Sequence, residues 1–396
     1  MKKVIGAVAA AAVALGLGAA AYAQSGTQTV KIGVLSDMSS LYQDIGGPGS
    51  IAAAKVAVED FAKINPNIKV EIVSGDHQNK PDVGSSIATK WFDVDGVDMI
   101  VDIPNSGVAL AVSQVAANKN KVFLANGPAS SDLTGSKCNA NTIHWAYDTW
   151  MLANGTGKAM VKTGGDTWFF LTADYAFGHA LERDTAAVVE KNGGKVLGKV
   201  RHPLNTSDFS SFLLQAQASK AKVIGLANAG GDTINSIKQA AEFGIVKGGQ
   251  SLAGLLVFAS DVNALGLETA QGLVLTASWY WDMNAAGAPA GKVPTMIHAG
   301  VYSSVLHYLK AVNALKQSKD GAAVVAEMKK MPTDDVLFGK GTVRQDGRKI
   351  HPVYLFEVKK PSESKYPGDF YKTRATIPAD EAFRPLNEGG CSLVKG

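Results

Sequence analysis

Apolar runs typical of buried strands alternate along this chain with segments whose apolar residues recur at helical spacing. Val30–Leu35 is an apolar run, and apolar residues three or four apart follow it from Ile51 to Phe61. The same alternation continues in a second set that begins near Thr149. Strands separated by helices favour parallel sheets covered on both faces, so two sets predict two doubly wound α/β domains.

The loops that follow the predicted strands are where a ligand is expected, because open parallel sheets bind ligands beyond the carboxyl ends of their strands. These loops are rich in Ser, Asn, Gly, Asp and aromatic residues, a mixture that suits a small ligand. They are Ser36–Gly49, Asp102–Gly107, Ala125–Asp132, Thr172–Phe177, Ala227–Asp232 and Ala259–Asn263. Leu255–Phe258 is predicted as the strand before the last loop. The residues after Lys360 are rich in Pro, Gly and charge, and predict a surface tail.

The amino terminus has the pattern of a secretory signal peptide. Two lysines precede the apolar stretch Val4–Ala20, and residues 21–23 form an A-x-A cleavage site. Residues 1–23 are therefore expected to be removed by cleavage between Ala23 and Gln24. A membrane anchor is the alternative, but the apolar run is short for a helix that needs roughly 20 apolar residues to span a bilayer. A periplasmic mature protein is expected.

Composition narrows the choice of partners and of redox chemistry. The chain has 396 residues, 46% of them hydrophobic, which allows two domains with separate cores. The formal charge is only +4 and no basic stripe is present, so nucleic acid is not expected as a partner. Disulfides persist in oxidising compartments, so a bridge between Cys138 and Cys391 is predicted, with two buried free thiols as the alternative. Neither cysteine belongs to a C-x-x-C motif, which disfavours redox catalysis.

Three loops carry the features that point to ligand binding. The glycine-rich turn 44–50 follows Tyr42 and lacks the spacing of nucleotide-binding motifs, so it is interpreted as a turn that borders a site. The segments Pro104–Gly107 and Gly127–Asp132 each precede a helical pattern. Their Ser, Asn and Asp residues are typical helix caps, and free N–H groups at such ends also bind carboxylates. Capping and ligand contact both stay open for each residue, and the two ends together favour a carboxylate site.

Aromatic residues follow two of the strands predicted in the second set. Tyr175 and Phe177 come after Trp168–Thr172, and at least one of them is expected to face a ligand. Trp279 belongs to an aromatic triplet after Leu273–Thr276, of which some members are expected to line a cleft and the others to cover a hinge.

No pattern for metal or covalent chemistry stands out. The seven histidines form no H-x-x-x-H or H-E-x-x-H pair, so neither a metal nor a cofactor is expected. No G-x-S-x-G motif occurs, and no catalytic set is found. An enzyme is therefore not expected.

Several segments, taken in order behind the signal peptide, carry a family resemblance. They are IGVLSDMSS at Ile32–Ser40, ANGPASSDLTG at Ala125–Gly135, ADYAFG at Ala173–Gly178, GLVLTASWYW at Gly272–Trp281 and FGKGTVRQDGRK at Phe338–Lys349. The chain resembles the type I periplasmic solute-binding proteins of ABC importers, in the leucine/isoleucine/valine-binding (hydrophobic amino-acid uptake) family.

The resemblance implies two doubly wound, Rossmann-like parallel-sheet domains joined by a three-crossing hinge. The crossings are expected near Tyr147, Leu275 and Pro352. The N-terminal lobe would comprise residues 27–146 plus 276–351, and the C-terminal lobe with its tail would comprise residues 147–275 plus 352–396.

The resemblance also implies a set of ligand-binding residues. It assigns the carboxylate-binding loops to Asn105, Ser106, Gly107, Gly127, Ala129 and Ser130, the aromatic wall to Phe177 with Tyr175 beside it, and the acidic partner of a ligand ammonium to Asp261. The loop Ala227–Asp232 lacks the Tyr that amino-acid binders often have there. An aromatic surround is expected instead from Tyr42, Tyr147, Tyr175, Phe177 and Trp279. The expected solute carries a carboxylate and is either a hydrophobic amino acid or an aromatic acid.

The expected function is the periplasmic solute-binding component of an ABC importer. A monomer would capture its solute by hinge closure and deliver it to a membrane permease complex. A ligand-sensing module of a membrane receptor and an exported hydrolase are the alternatives.

Overall fold

The computed structural model describes residues 28–283 and 293–395, so the predicted signal peptide and its cleavage site lie outside the described residues. The strands are β1 Gln28–Ser36, β2 Ile68–Asp76, β3 Met99–Asp102, β4 Val122–Ala125, β5 Thr142–His144, β6 Thr167–Ala173, β7 Lys195–His202, β8 Val223–Ala227, β9 Ser251–Gly254, β10 Val274–Ala277, β11 Thr333–Asp335, β12 Gly339–Val343, β13 Lys349–Ile350, β14 Val353–Val358 and β15 Tyr371–Ile377. The helices are α1 Gly47–Ile64, α2 Pro81–Asp93, α3 Ser106–Asn118, α4 Thr149–Leu152, α5 Lys158–Lys162, α6 Ala176–Lys191, α7 Ser210–Ala218, α8 Gly231–Glu242, α9 Ala259–Leu265, α10 Leu267–Ala270, α11 Met296–Leu315, α12 Gly321–Lys330 and α13 Ala379–Ala382.

Two sheets organise the molecule, which confirms the predicted α/β class. The first sheet has the order β2-β1-β3-β4-β5, and all of its pairs are parallel. The second has the order β15-β14-β10-β9-β8-β6-β7, with antiparallel pairs where β14 meets β10 and β15. Strands β3, β4 and β8 are buried at every residue, as expected for parallel strands covered by helices on both faces.

The chain crosses three times between the two lobes built on these sheets. It leaves the first sheet after β5, returns after β10 to α11, which packs against α1, and leaves again between β13 and β14. The predicted boundary at 275/276 cuts β10 in two, whereas Val274–Ala277 pairs with β14 along its whole length. The second crossing therefore begins after Ala277.

Arg348, which is fully buried, holds the first and third crossings together. Its guanidinium donates to the carbonyl oxygens of Tyr147 at 2.9 Å and Trp145 at 2.8 Å, and its Nε donates to that of Lys349 at 3.0 Å. The Oδ2 atom of Asp148 lies 3.6 Å from the same Nε. One buried cation thus joins the first and third crossings of the chain.

Two predictions for the second lobe are wrong. Leu255–Phe258 is not a strand: β9 is Ser251–Gly254, and Leu255–Phe258 is the buried loop that follows it. The apolar run marks burial between packed segments and not strand pairing. The residues after Lys360 are not only a surface tail, because Tyr371–Ile377 forms the edge strand β15.

The end of the chain is tied back to the first lobe. A disulfide joins Cys138 to Cys391, the pair that the sequence favoured, with Cα atoms 5.6 Å apart. Arg384 adds a hydrogen bond from its Nη2 to the carbonyl oxygen of Ser131 at 3.0 Å. These contacts bring the last residues of the chain beside the loop after β4.

Candidate functional site

Loops from both lobes enclose a small cavity at the carboxyl ends of the strands. Its lining residues are Tyr42, Ile45, Pro104, Gly127, Ala129, Tyr147, Tyr175, Phe177, Ala229 and Leu256. Six of the residues that the sequence put forward for ligand binding therefore lie together: Tyr42, Gly127, Ala129, Tyr147, Tyr175 and Phe177. The cavity volume is ≈ 10 Å³, about the space of one water molecule. The two lobes are closed on each other in this conformation.

A hydrogen bond between two tyrosines crosses the cavity from lobe to lobe. The hydroxyl oxygens of Tyr42 and Tyr175 are 2.6 Å apart. Burial raises the pKa of both phenols well above the ordinary value, so both stay protonated at neutral pH. The loop that carries Tyr42 is organised by Asp37, whose Oδ2 accepts from the backbone N–H of Tyr42 at 2.8 Å. Tyr42 is thereby presented to the second lobe from a fixed loop.

The lobes also approach closely where α8 begins. Gly230 has a φ of +58°, and a side chain there would lie 3.0 Å from the carbonyl oxygen of Leu41 in the first lobe. Only glycine fits both the backbone angle and the approach of the two loops.

The residues at the start of α3 support the cavity and are not among those that line it. Asn105 caps the helix, its Oδ1 accepting from the N–H of Val108 at 3.1 Å. Ser106 Oγ accepts from the N–H groups of Ala129 at 3.2 Å and Ser130 at 3.1 Å, so it joins the loops after β3 and β4.

Two neighbouring residues of these loops have mainly local contacts. The Oγ of Ser130, which is fully buried, accepts from the N–H of Asp132 at 3.4 Å. Gly107 is the second residue of α3, where a side chain would meet Asn105 and Pro81.

Asp261 and Trp279 lie away from the cavity-lining set. Asp261 is buried in α9, and its Oδ2 accepts from the N–H of Phe258 at 2.9 Å. Burial raises the pKa of this carboxyl to about 7. Trp279 lines a second small cavity, which it shares with Val257 and Phe258. The loop Leu255–Phe258 separates the two cavities, since Leu256 lines the first.

Sequence reasoning did not single out Asp102, at the end of β3. Its carboxyl is fully buried, Ser36 Oγ donates to its Oδ2 at 2.8 Å, and its Oδ1 has no hydrogen-bond partner among the described residues. Burial raises the pKa of Asp102 to about 6. Asp102 and Ile103 both have positive φ, +88° and +62°, which is strained backbone for residues with side chains. The only sequence signal was the position of Asp102 at a strand end.

Four other residues that line the small cavity were not predicted from the sequence. Leu256 was assigned to a strand, and Ile45, Pro104 and Ala229 are apolar residues in loops that the sequence marked only as a whole. Such residues carry no chemical signature of their own.

A second set of inter-lobe contacts lies between the cavity and the hinge. Asp184 of α6 accepts a hydrogen bond at its Oδ2 from Ser131 Oγ of the first lobe, and another from Thr149 Oγ1 of the second lobe, both at 2.6 Å. Arg183 pairs with Asp132 of the first lobe at 3.1 Å. The contacts of Asp184 with Ser131 and of Arg183 with Asp132 thus join the two lobes.

A larger groove of ≈ 590 Å³ opens on the other side of the loop that carries Tyr42. Asp44 and Gly46 line it, together with one face of α1 and residues of α8 and α9 from the second lobe. Like the small cavity, this groove is lined by residues of both lobes. No helix among the described residues has the length and apolar character needed to cross a membrane.

A periplasmic binding protein family model matches residues 29–365 of the chain. The chain belongs to this family, whose members are solute-binding proteins of ABC transporters, and the type I fold of two lobes is confirmed.

Three relatives give the likeness in detail. A periplasmic binding protein from Burkholderia mallei, known as a crystal structure, is 54% identical, with a TM-score of 0.89 over 93% of this chain and 100% of that chain. A branched-chain amino acid ABC transporter periplasmic ligand-binding protein from Burkholderia xenovorans is 39% identical, with a TM-score of 0.81 over 92% and 99%. A Leu/Ile/Val-binding protein homolog 6 from Brucella melitensis is 26% identical over 92% of this chain and 95% of its own.

Proposed function

We propose that this protein captures a small carboxylate-bearing solute in the periplasm and delivers it to an ABC permease. The observation that carries the proposal is the cavity at the strand ends, which is lined from both lobes and bridged by the hydroxyls of Tyr42 and Tyr175 at 2.6 Å. A site of this kind can exist only when the lobes are together. Its volume of ≈ 10 Å³ is too small for an amino acid, so a ligand enters an open form and replaces the tyrosine contact on closure.

The loops after β3 and β4 have the donors that a carboxylate needs. The hydroxyls of Ser106 and Ser130 and the N–H groups of Ala129 and Ser130 are all buried beside the cavity wall. In the conformation described here, Ser106 Oγ accepts from both N–H groups. A ligand carboxylate would take over these bonds, which are stronger when the acceptor is charged.

The remaining wall suits an apolar or aromatic body. Ile45, Leu256 and Phe177 present hydrocarbon surface, and Tyr147 packs edge-on against Phe258 with ring centroids 6.1 Å apart. The name of the Burkholderia xenovorans relative supports a branched-chain amino acid, and the aromatic residues of the wall support an aromatic acid. Both solute classes stay within the proposal.

Closure would use the three crossings as a hinge. Arg348 holds two crossings together, so the lobes are expected to rotate about this rigid pair while the contacts of Tyr42 and Asp184 form and break. The closed form would be the one recognised by the permease. We further propose export by cleavage between Ala23 and Gln24, a monomeric mature protein and the absence of catalytic activity.

A ligand screen tests the proposed function. Thermal shift and calorimetry are run on the mature protein with leucine, isoleucine, valine and phenylalanine, and with benzoate and its hydroxylated and cinnamate analogues. We expect at least one carboxylate to raise the melting temperature and to change the tryptophan fluorescence, since Trp279 follows β10 at the second crossing. No shift with any member would contradict the proposal.

A pair of tyrosine variants locates the binding. Tyr42→Phe should change the affinity for the ligand found. Tyr302→Phe should not, because the Tyr302 hydroxyl bonds to Asp60 within the first lobe at 2.9 Å. Equal effects of the two substitutions would place the ligand elsewhere.

A further inference from the structure

Asp102 differs from Asp232 and Asp261, two other buried acids around the cleft, because one of its buried carboxyl oxygens has no hydrogen bond from the described residues. Asp232 accepts from the N–H groups of Asn205 at 3.1 Å and Thr206 at 2.8 Å, and Asp261 accepts from that of Phe258 at 2.9 Å. Asp102 accepts a hydrogen bond from the hydroxyl of Ser36 at 2.8 Å, and the hydroxyl of Ser50 is near enough to lower its pKa. No hydrogen bond reaches its Oδ1 from the residues that the structure describes, although the atom is buried.

The free oxygen points toward the cavity wall. A Cβ atom added at Gly127, which lines the cavity, would lie 2.7 Å from Oδ1 of Asp102. A Cβ atom added at Gly46 would lie 3.0 Å from Oδ2. The absence of side chains at these two glycines leaves the carboxyl facing the loops that build the site. Tyr147, another lining residue, is close enough for the charge of Asp102 to raise the pKa of its phenol.

Within residues 28–283 and 293–395, no lysine or arginine contributes to the pKa of this carboxyl. The ten residues that line the cavity include neither lysine nor arginine, and the groups that interact with Asp102 are the hydroxyls of Ser36 and Ser50. A buried carboxylate without a cation or a full set of donors is costly. The strained φ values of Asp102 and Ile103 add to that cost, and strain of this kind concentrates at ligand sites.

We propose that Asp102 is a specificity-determining residue whose free oxygen accepts a hydrogen bond from the bound solute. The inference rests on the proposed function and narrows the solute class. The ligand carries, besides its carboxylate, a hydrogen-bond donor, either an ammonium group or a hydroxyl group. A solute with a carboxylate and a hydrocarbon body alone would leave the carboxyl unpaired and bring a second negative charge beside it.

Two variants and two ligand pairs test this inference. Asp102→Gly removes the carboxyl and tolerates the positive φ, and Asp102→Asn keeps a neutral acceptor. The ligand pairs are leucine with its 2-oxo analogue and 4-hydroxybenzoate with benzoate, each differing in one donor group. Dissociation constants are measured by calorimetry for the wild-type protein and both variants.

The expected result is a selective loss. In Asp102→Gly, the affinity for the donor-bearing member falls about tenfold to a hundredfold, as for a lost hydrogen bond to a charged group, and that for its partner changes less than about threefold. Asp102→Asn distinguishes a hydroxyl donor on the ligand from an ammonium donor. A hydroxyl still bonds to the amide oxygen and keeps most of its affinity, whereas an ammonium ligand keeps a neutral acceptor but loses the attraction of the carboxylate charge, and its affinity falls about tenfold.

Asp98→Asn is the matched control. Asp98 precedes the same strand and is as buried, but its Oδ1 accepts from Lys319 Nζ at 2.6 Å and it lies far from the cleft loops. This substitution should lower the melting temperature and leave ligand selectivity unchanged.

The outcomes separate this inference from the proposed function. Binding by the wild-type protein with equal changes for both members of a pair in Asp102→Gly, or with no change, overturns the inference alone. If the wild-type protein binds none of these ligands or those of the wider screen, the proposed function fails and the inference falls with it.

Discussion

Arg348 at the hinge and Asp102 at the cleft are both fully buried charges, and their surroundings are opposite. Arg348 donates to three backbone carbonyl groups, and Asp148 lies near enough to balance its charge. Asp102 has one hydroxyl donor and one oxygen with no partner among the described residues. Burial lowers the pKa of Arg348 only to about 10, so it stays charged, but raises the pKa of Asp102 to about 6.

We interpret this difference as one between a residue that stabilises the fold and a residue that we propose binds the ligand. A buried polar group that is fully bonded makes the local structure unique, whereas one that lacks partners destabilises it and persists where function needs it. The hinge also contains Lys349, whose Nζ has no hydrogen bond in the structure described but lies 4.0 Å from the Phe338 ring centre. The faces of Trp145 and Phe338 lie beside this amine, and burial lowers its pKa to about 7.

Replacing the hinge cation should have the largest effect. Arg348→Met leaves the carbonyl groups of Trp145, Tyr147 and Lys349 without their donor in a buried place. We expect a loss of about 3–5 kcal/mol in the free energy of unfolding, measured by urea denaturation. Arg374→Met, at a half-exposed position on β15, is the control and should change stability by less than about 0.5 kcal/mol. Similar losses in the two variants would contradict the hinge role.

Replacing Asp102, the acid at the cleft, should increase the free energy of unfolding, whereas replacing Arg348 should lower it. The folded pKa of Asp102, about 6, lies above its ordinary value of 3.8, so ionisation of this group destabilises the folded state above pH 6. We expect Asp102→Asn to be more stable than the wild-type protein at pH 7.5, by on the order of 3 kcal/mol.

The pH dependence checks the origin of this gain. The stability of the wild-type protein relative to Asp102→Asn should rise as the pH falls from 6 to 4, because the carboxyl then becomes neutral in the folded state first. Urea denaturation at pH 4 and 7.5 measures the difference. A variant that is less stable than the wild-type protein at both pH values would mean that the acid supports the fold.

The contrast between these two residues also explains what the sequence could predict. The helix Ser106–Asn118 and the strand Val122–Ala125 are as predicted, because a cap residue and a short apolar run are local signals. The predictions for Leu255–Phe258 and Tyr371–Ile377 were wrong because contacts with residues distant in sequence determine the secondary structure of these segments. The first is an apolar loop pressed between packed segments, and the second is an edge strand with an exposed polar face.

In the candidate site, too, some residues could be predicted from local sequence patterns and others could not. Aromatic residues and helix starts at strand ends have recognisable chemistry, so Tyr42, Tyr147, Tyr175 and Phe177 could be put forward, and they meet in one cavity. The unpaired oxygen of Asp102 and the bonding of Arg348 depend on burial by distant segments, which no local pattern reports. Whether each lining residue touches the solute stays a prediction.

The tyrosine contact across the cleft gives a smaller effect. Tyr42→Phe and Tyr175→Phe each remove one hydroxyl from the inter-lobe hydrogen bond of 2.6 Å. Since the ligand must replace this bond, the bond stabilises the closed form without ligand, and each single variant and the double variant should tighten ligand binding by a similar amount, about 0.5–1.5 kcal/mol. Calorimetry on the four proteins gives the coupling energy. Additive effects would show that the two hydroxyls act on the ligand independently.

Ser130→Ala should have the smallest effect on the fold and a measurable one on binding. The Ser130 hydroxyl accepts one long bond, 3.4 Å from the N–H of Asp132, so its loss should lower the free energy of unfolding by less than about 1 kcal/mol. If the hydroxyl donates to the ligand carboxylate, the affinity falls by about 0.5–1.5 kcal/mol, and by more if the carboxylate is left without a buried donor.

Ser131→Ala is the neighbouring control, because its hydroxyl donates to Asp184 at 2.6 Å and belongs to the inter-lobe contacts. It should lower affinity for all ligands alike, by weakening closure, whereas Ser130→Ala should act only through the carboxylate. Unchanged affinity for every ligand in Ser130→Ala would remove this residue from the site and leave the loop after β4 to bind through its backbone alone.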